Sequence, residues 1–364
     1  MATINKIAIN TGGGDAPGLN AVIEAVVMSS SKRSWEVYGI KNGYTGLLNT
    51  NEIMRLTPET VRGISTLGGT IIGTTNKGNP FKMPVTNAAG EVETRDVSDK
   101  VVENFKRLGF DYLIAVGGDG SLEIAYNLFK KGVPVVGVPK TIDNDLLGTV
   151  ITFGFDTAVS IATEAIDRLH STARSHERVM VVEVMGRHAG WIALHSGLSG
   201  GADVILIPEI PFDIEKVCKH IMSNELHGRR YSIVVVGEGA VPIGGSQIAK
   251  GKGEAGRQEL LLGGVGEYIA REISKNIGKD TRSLVLGHLQ RGGSPTTFDR
   301  LVSLRFGAAA VRMIEEGQSG IMVALDPPEM KAVPLAAVIG KIRKVPLDCD
   351  SIQTAREIGI CLGD

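Results

Sequence analysis

The feature that most constrains this chain is a recurring series of short apolar, β-branched runs, each closed by glycine or a polar cluster. They lie at residues 6–10, 112–116, 133–138, 179–184, 203–207, 231–236 and 321–325. None shows the strict polar/apolar alternation of a strand with one wet face. Such runs are buried on both sides, as in a parallel sheet. Helical patterns fill the gaps. The clearest starts at Asp156, a candidate N-cap, and sets Val159, Ala162, Ala165, Ile166 and Leu169 on one stripe. Strands that alternate with helices specify an α/β fold with mainly parallel sheets. Folds of that kind bind ligands beyond the carboxyl ends of their strands.

Composition narrows the function. At 364 residues the chain is long enough for two or three domains with a sizeable core. A formal net charge of -1 removes the electrostatic case for nucleic acid or an anionic membrane as the main partner. Cys218, Cys349 and Cys361 are too scattered for a disulfide framework or a zinc cage, and read as reduced cytoplasmic thiols. No leader pattern opens the chain, and no apolar run approaches the ~20 residues of a membrane span. The one compositional break, residues 244–264, reads as an exposed insertion, with a helix resuming near Glu267.

Three polar turns follow strands, the first two glycine-rich. Thr11-Gly12-Gly13-Gly14-Asp15-Ala16-Pro17-Gly18 precedes an amphipathic helix and opens the backbone to an anion. No Gly-Lys-Ser/Thr follows and the GxGxxG spacing is absent, so neither common nucleotide fingerprint applies. Taken alone it is equally a plain strand-to-helix connection. Gly117-Gly118-Asp119-Gly120-Ser121 repeats the arrangement with a carboxylate placed to hold magnesium; an ordinary Asp-Gly turn is the plainer alternative. Pro139-Lys140-Thr141-Ile142-Asp143-Asn144-Asp145 brings two carboxylates and a hydroxyl. Phosphoryl transfer to an alcohol needs a base for the hydroxyl proton and cations for the spreading charge, although an Asp/Asn cap would look similar. Further on come Arg178, Met185-Gly186-Arg187, Glu238, Arg282 and Gly287-His288-Leu289-Gln290-Arg291-Gly292-Gly293-Ser294-Pro295. Singly, these arginines read as surface ion pairs and His288 as a core histidine. Together with two phosphate turns they make a credible clamp for a second phosphate.

These blocks, in this order and spacing, resemble the 6-phosphofructokinase signatures over roughly residues 4–335. The combination is specific, since diacylglycerol and NAD kinases share only the Gly-Gly-Asp-Gly element. The resemblance implies two similar α/β lobes. Residues 1–153 plus 291–335 would bind the donor, and 154–290 plus 336–364 the sugar phosphate. It implies a cytoplasmic, glycolytic kinase that uses Mg2+ and phosphorylates fructose 6-phosphate at the 1-hydroxyl. Asp143 is then the general base, with Thr141 at the transferred group and Asp119 the metal ligand. Gly14, Gly118, Gly120 and Ser121, with Asn76 and Lys77, would meet the nucleotide. Ile142, Arg178, Met185, Gly186, Arg187, Glu238, Arg282, His288, Leu289, Gln290 and Arg291 would meet the sugar phosphate. In this family Arg178 and Arg282 enter from a neighbouring subunit. A homotetramer, or a homodimer, with shared sites is therefore implied.

The departures bear on the donor and on control. Asn76-Lys77 stands where many bacterial members carry an arginine. Lys140 is typical of pyrophosphate users, whereas Gly120 is the ATP-type residue; aspartate there would repel the third phosphate. Leu122-Glu123-Ile124 is bulky for an adenine pocket. ATP is the expected donor, with pyrophosphate as the alternative and a silent sugar-phosphate-binding paralogue as a rival of another class. Family members are commonly allosteric. Here the usual basic effector positions read Glu24, Met28, His170 and His227, leaving Arg229, so the usual ADP and phosphoenolpyruvate control should be absent or altered.

Overall fold

The apolar runs become strands of two sheets, central in all cases but one: the run at 203–207 forms an edge strand of the smaller sheet. A computed structural model describes residues 4–86, 90–251 and 261–364. The chain opens with β1 (Lys6–Thr11), α1 (Leu19–Ser31), β2 (Glu36–Ile40), β3 (Ile53–Leu56) and α2 (Pro58–Val61). A hairpin of β4 (Met83–Thr86) and β5 (Val92–Arg95) leads to α3 (Ser98–Arg107), β6 (Tyr112–Gly117), α4 (Asp119–Lys130) and β7 (Val135–Pro139). Then follow α5 (Phe155–His176), β8 (Val179–Val184), α6 (Trp191–Ser199), β9 (Val204–Leu206), α7 (Ile214–Leu226) and β10 (Ser232–Gly237). After β11 (Ala249–Gly251) and β12 (Leu261–Leu262) come α8 (Val265–Ile277), β13 (Thr281–Val285) and α9 (Thr297–Glu315). The chain closes with β14 (Ile321–Asp326), β15 (Glu329–Pro334), α10 (Leu335–Val338) and α11 (Asp350–Glu357).

One sheet has the order β15-β14-β7-β6-β1-β2-β3, parallel except at its two antiparallel edges. The other has the order β13-β8-β10-β9 and is wholly parallel. Strands β7, β8 and β10 are buried along their whole length, as their unbroken apolar runs require. Helices cover both faces of each sheet and divide the core accordingly. Val22, Val26, Phe306 and Ala310 pack α1 and α9 on the first sheet. Ala162 and Ile166 of α5 pack with Ile192 and Val235 on the second. The chain changes lobe once more near its end. Leu335 and Val338 join the first core, and Val345, Ile352 and Leu362 the second.

Two sequence expectations need correction or restriction. Asp156 is not the N-cap of α5; Gly154 is, at φ 93, and Asp156 sits in the first turn, where its carboxylate accepts a 2.6 Å bond from the Thr296 hydroxyl. A left-handed glycine turns the chain earlier than a side-chain cap would, and an acidic first turn still suits the helix dipole. Of the expected insertion at 244–264, residues 252–260 lie outside the described residues. Its far end is anchored: the buried Glu183 carboxylate accepts from the Gly264 and Gly266 amides at the start of α8. Among the described residues no helix is long and apolar enough to cross a membrane.

Candidate active site

Strands β1, β6 and β7 are parallel neighbours, so the two glycine-rich turns and the Asp143 loop leave the sheet along one edge. Backbone bonds lock them together: Gly12 N donates to Val116 O (2.9 Å) and Lys140 N to Gly117 O (2.9 Å). The turns also touch through side chains. A Cβ at Gly12 would sit 2.6 Å from Ser121 Oγ, and the Tyr44 hydroxyl donates to Ser121 O (2.7 Å). Helix α4 starts at Asp119, with Gly118 as its N-cap, so its first amides face this edge as an anion site. Gly120 is exposed there, and an added Cβ would meet nothing within 4 Å. Asn76 and Lys77 are exposed on a loop tied to the first turn through Thr75 O and the Thr74 hydroxyl.

Two cations converge on that first turn. Lys140 is only 4% exposed, and its ammonium donates to Gly14 O. Burial, followed by the nearby Arg291 charge, pushes the lysine down to about 7. Arg291 donates from Nη1 to Asp15 O (3.0 Å). A Cβ on Gly14 would lie 2.9 Å from the same Nη1, so glycine is what lets the guanidinium pass. Arg291 therefore lies against the turn expected to bind the donor as well as beside the sugar-side residues.

The carboxylates sit on the third turn of the same edge, after β7 and beside the Asp119 turn. The Thr141 hydroxyl accepts from Asp143 N (3.1 Å) and bonds the Asp145 carboxylate. Burial, then the neighbouring Asp143 charge, raises Asp145 above the usual carboxylate range. Ile142 is fully buried, so only its backbone is available to a ligand. From the other lobe Glu238 is pushed up to about 7 by burial and then by Asp143, with Arg187 acting in the opposite sense. Strand-end bonds place Glu238 beside the Met185–Gly186–Arg187 turn: Glu238 N donates to Val184 O and Gly239 N to Gly186 O. Gln290 is fully buried, accepting from Met185 N (3.4 Å) and donating to Gly287 O (3.1 Å). Its side chain braces the site, while His288 and Leu289 stay exposed.

Arg178 and Arg282 are not brought to this cleft by their own chain. Arg178 precedes β8, whereas Met185 follows it; at about 3.3 Å per residue the two are roughly 20 Å apart. Arg282 pairs in register with Met180 at the same far end, and both arginines bond Asp280 (3.0 and 3.1 Å). The residues at the positions compared with effector sites are engaged locally. Glu24 accepts from Ser65 N (2.8 Å), His170 bonds Gly200 O (2.6 Å), His227 bonds Ser223 O (2.7 Å), and Arg229 pairs with Asp203 (2.9 Å). Met28 is exposed.

Among the described residues no group of three or more His, Cys, Asp or Glu is placed to hold a metal. The donor set suits a magnesium ion that arrives on donor phosphates, because such ions need only one or two protein carboxylates. Asp119 fits that part: Oδ1 accepts from Gly340 N (2.8 Å), which orients the carboxylate. Tyr44 and Gly340 went unpredicted; neither lies in a glycine turn or carries a charge pattern.

An α/β protein whose first lobe sets phosphate-type turns beside a carboxylate loop, with Glu238 and Arg187 of a second lobe facing them, is a small-molecule phosphotransferase in architecture. The phosphofructokinase family model matches residues 6–314. An ATP-dependent 6-phosphofructokinase of Chloroflexus aurantiacus is 51% identical, covering 99% of this chain and 98% of that protein. ATP-dependent 6-phosphofructokinase 2 of Clostridium perfringens is 48% identical over the full length of both. The crystal structure of Pichia pastoris phosphofructokinase in the T-state superposes with a TM-score of 0.80 at 31% identity, covering 99% of this chain and 37% of that one. This chain belongs to the phosphofructokinase family.

Proposed function

We propose that this protein is an ATP-dependent 6-phosphofructokinase: it transfers the terminal phosphoryl group of ATP to the 1-hydroxyl of fructose 6-phosphate, as a cytoplasmic glycolytic enzyme. The observation that carries the reading is the convergence of the Asp143 loop, the α4 N-terminus and the Lys140–Arg291 pair on one cleft, in a chain with relatives of that name at 45–51% identity. Asp143 takes the hydroxyl proton as the sugar oxygen attacks. The Thr141 and Asp145 side chains orient the loop that presents it. Donor phosphates lie on Gly14 and on the amides of Gly118, Asp119, Gly120 and Ser121, with Asn76 and Lys77 at the rim. Asp119 would hold Mg2+, which supplies charge neutralisation between the phosphates. The lobe of residues 1–153 plus 291–335 takes the donor. The lobe of 154–290 plus 336–364 takes the sugar phosphate through Arg187, Glu238 and His288, with Arg291 contributed from the donor lobe.

The position of Arg178 and Arg282 at the wrong end of β8 supports a shared site. They serve the clamp of a second copy, so the working form is an oligomer. A second reading, with pyrophosphate as donor, is favoured by the fixed Lys140 ammonium, and exposed, side-chain-free Gly120 opposes it. The test offers purified protein fructose 6-phosphate with ATP, ADP or pyrophosphate in turn. Turnover with pyrophosphate and none with ATP would overturn the donor assignment.

A further inference from the structure

Beyond residue 314, where the family match ends, the chain runs between the lobes over residues 340–345 and touches the site from behind. Gly340 N donates to Asp119 Oδ1, and Arg343 N donates to Asp145 O (2.8 Å). The Arg343 guanidinium reaches the same loop twice, through Nη1 to Val150 O (2.8 Å) and to Asn144 O (3.5 Å). It also stacks on Trp191, with its central carbon 4.6 Å from the ring centroid, and Trp191 Nε1 donates to Arg343 O (2.9 Å). Trp191 opens α6 directly after the loop of Met185, Gly186 and Arg187. Glu209 completes the tie, accepting from both Gly190 N (3.1 Å) and Val345 N (2.8 Å).

We infer that Arg343 is a positioning residue for phosphoryl transfer, holding the Asp143-bearing loop at a set height against the sugar-side loop. The loop needs such a hold. Asn144 is a non-glycine residue at φ 51, and two carboxylates flank it. On the opposite side Val150 N and the Thr149 hydroxyl are fastened to Leu325. A cavity of about 380 Å³ lined by Leu147, Val150, Leu325 and Arg343 leaves the outer face of residues 147–150 without packing. Directional bonds from a charged donor therefore hold the 147–150 end of the loop, where apolar contacts do not, while buried Ile142 and Leu146 pin the residues beside Asp143. Trp191 carries that position across to the sugar-binding lobe, so base and acceptor move as one body.

The inference rests on reading Asp143 as the base, and the experiment separates the two. Arg343→Met keeps most of the aliphatic stem and removes the donors; Arg343→Lys keeps the charge and one direction of bonding. A displaced base lowers kcat without weakening ground-state binding. Arg343→Met should lower kcat roughly 10–100-fold, with both KM values within about threefold, since ångström-scale misplacement costs up to about 10²-fold. Arg343→Lys should recover at least about a third of the loss on a logarithmic scale. Unchanged kcat in Arg343→Met overturns the inference. So does a joint fall in thermal midpoint, kcat and both substrate affinities that lysine does not relieve, because that pattern belongs to a merely structural brace. If Arg343→Met does not fold, Arg343→Lys decides alone: lower kcat at unchanged KM supports the inference and wild-type kcat overturns it. Wild-type protein inert with ATP and with pyrophosphate removes the base reading and this inference together.

Discussion

Replacing Lys140 with methionine should make the protein more stable and less active, and the two effects should separate with pH. The lysine is buried against Gly14 O with Arg291 nearby, so its charged form is disfavoured in the folded state. A fall from 10.5 to about 7 corresponds to roughly 5 kcal/mol, at 1.36 kcal/mol per unit. Below pH 7 both folded and unfolded chains carry the proton, and the folded state bears the whole cost. Between pH 7 and 10.5 the unfolded chain binds more protons, so wild-type stability rises with pH; above 10.5 the cost is gone. Methionine removes the cost but leaves Gly14 O without its donor, worth about 1–3 kcal/mol. A net gain of about 2–4 kcal/mol at pH 6 remains. With about 2.1 cal/mol/K per residue over this length, that is a rise in Tm of roughly 3–5 °C. The difference between variant and wild type should shrink as pH rises towards 10.5. Thermal and urea unfolding at pH 6 and 9.5 measure it. Turnover of Lys140→Met should fall at least tenfold, about 1.4 kcal/mol, because a cation facing donor phosphates is lost. An unchanged or lower Tm at pH 6, with no pH dependence in the difference, would refute the buried-charge reasoning.

Gly120→Asp should lower ATP-dependent kcat/KM at least about tenfold, since a like charge about 4 Å from phosphate oxygens costs about 1–4 kcal/mol. Open space around that Cβ predicts an unchanged Tm, so the loss reads as repulsion and not as misfolding. Asp143→Ser should lower kcat by roughly 10²–10⁴-fold with fructose 6-phosphate binding retained, measured by turnover and by ligand titration. Mixing Asp143→Ser protein with Arg178→Ala protein should restore part of the activity. No recovery in verified mixed oligomers would argue against sites shared between copies. ADP should fail to activate, because Glu24 is fastened to Ser65 N and Arg229 to Asp203; saturable activation at low ADP would show a site built from other residues.

The central strands were legible because being buried on both faces leaves an unbroken apolar run, and all seven runs became strands. Most of the missed ones are edge or hairpin strands; β2 is the interior exception, between β1 and β3. β13 is exposed over four of its five residues and β15 is buried at none of its six, so neither is a covered strand with an unbroken apolar run. The Asp156 cap was misread because Gly154 turns the chain one residue before the helix. For the site, the glycine turns and the Asp143 loop were legible as blocks. The state of Lys140 was not: in sequence it is a flexible ammonium, and in the fold it is buried and fixed on a carbonyl 126 positions away.

Residue types and spacing alone determined the α/β class, the family, and the chemistry on offer: a carboxylate loop, anion turns and a set of arginines. These follow from local rules, in which glycine permits a turn and a β-branched run demands a covered strand. The tertiary structure alone decided which groups meet. It seated Arg291 against Gly14, pushed Lys140 and Glu238 towards neutrality by burial, carried Arg343 behind the Asp143 loop, and left Arg178 and Arg282 at the opposite end of β8. The reason is physical. Desolvation and long-range pairing depend on what the rest of the chain packs around a group, and no window of sequence contains that environment.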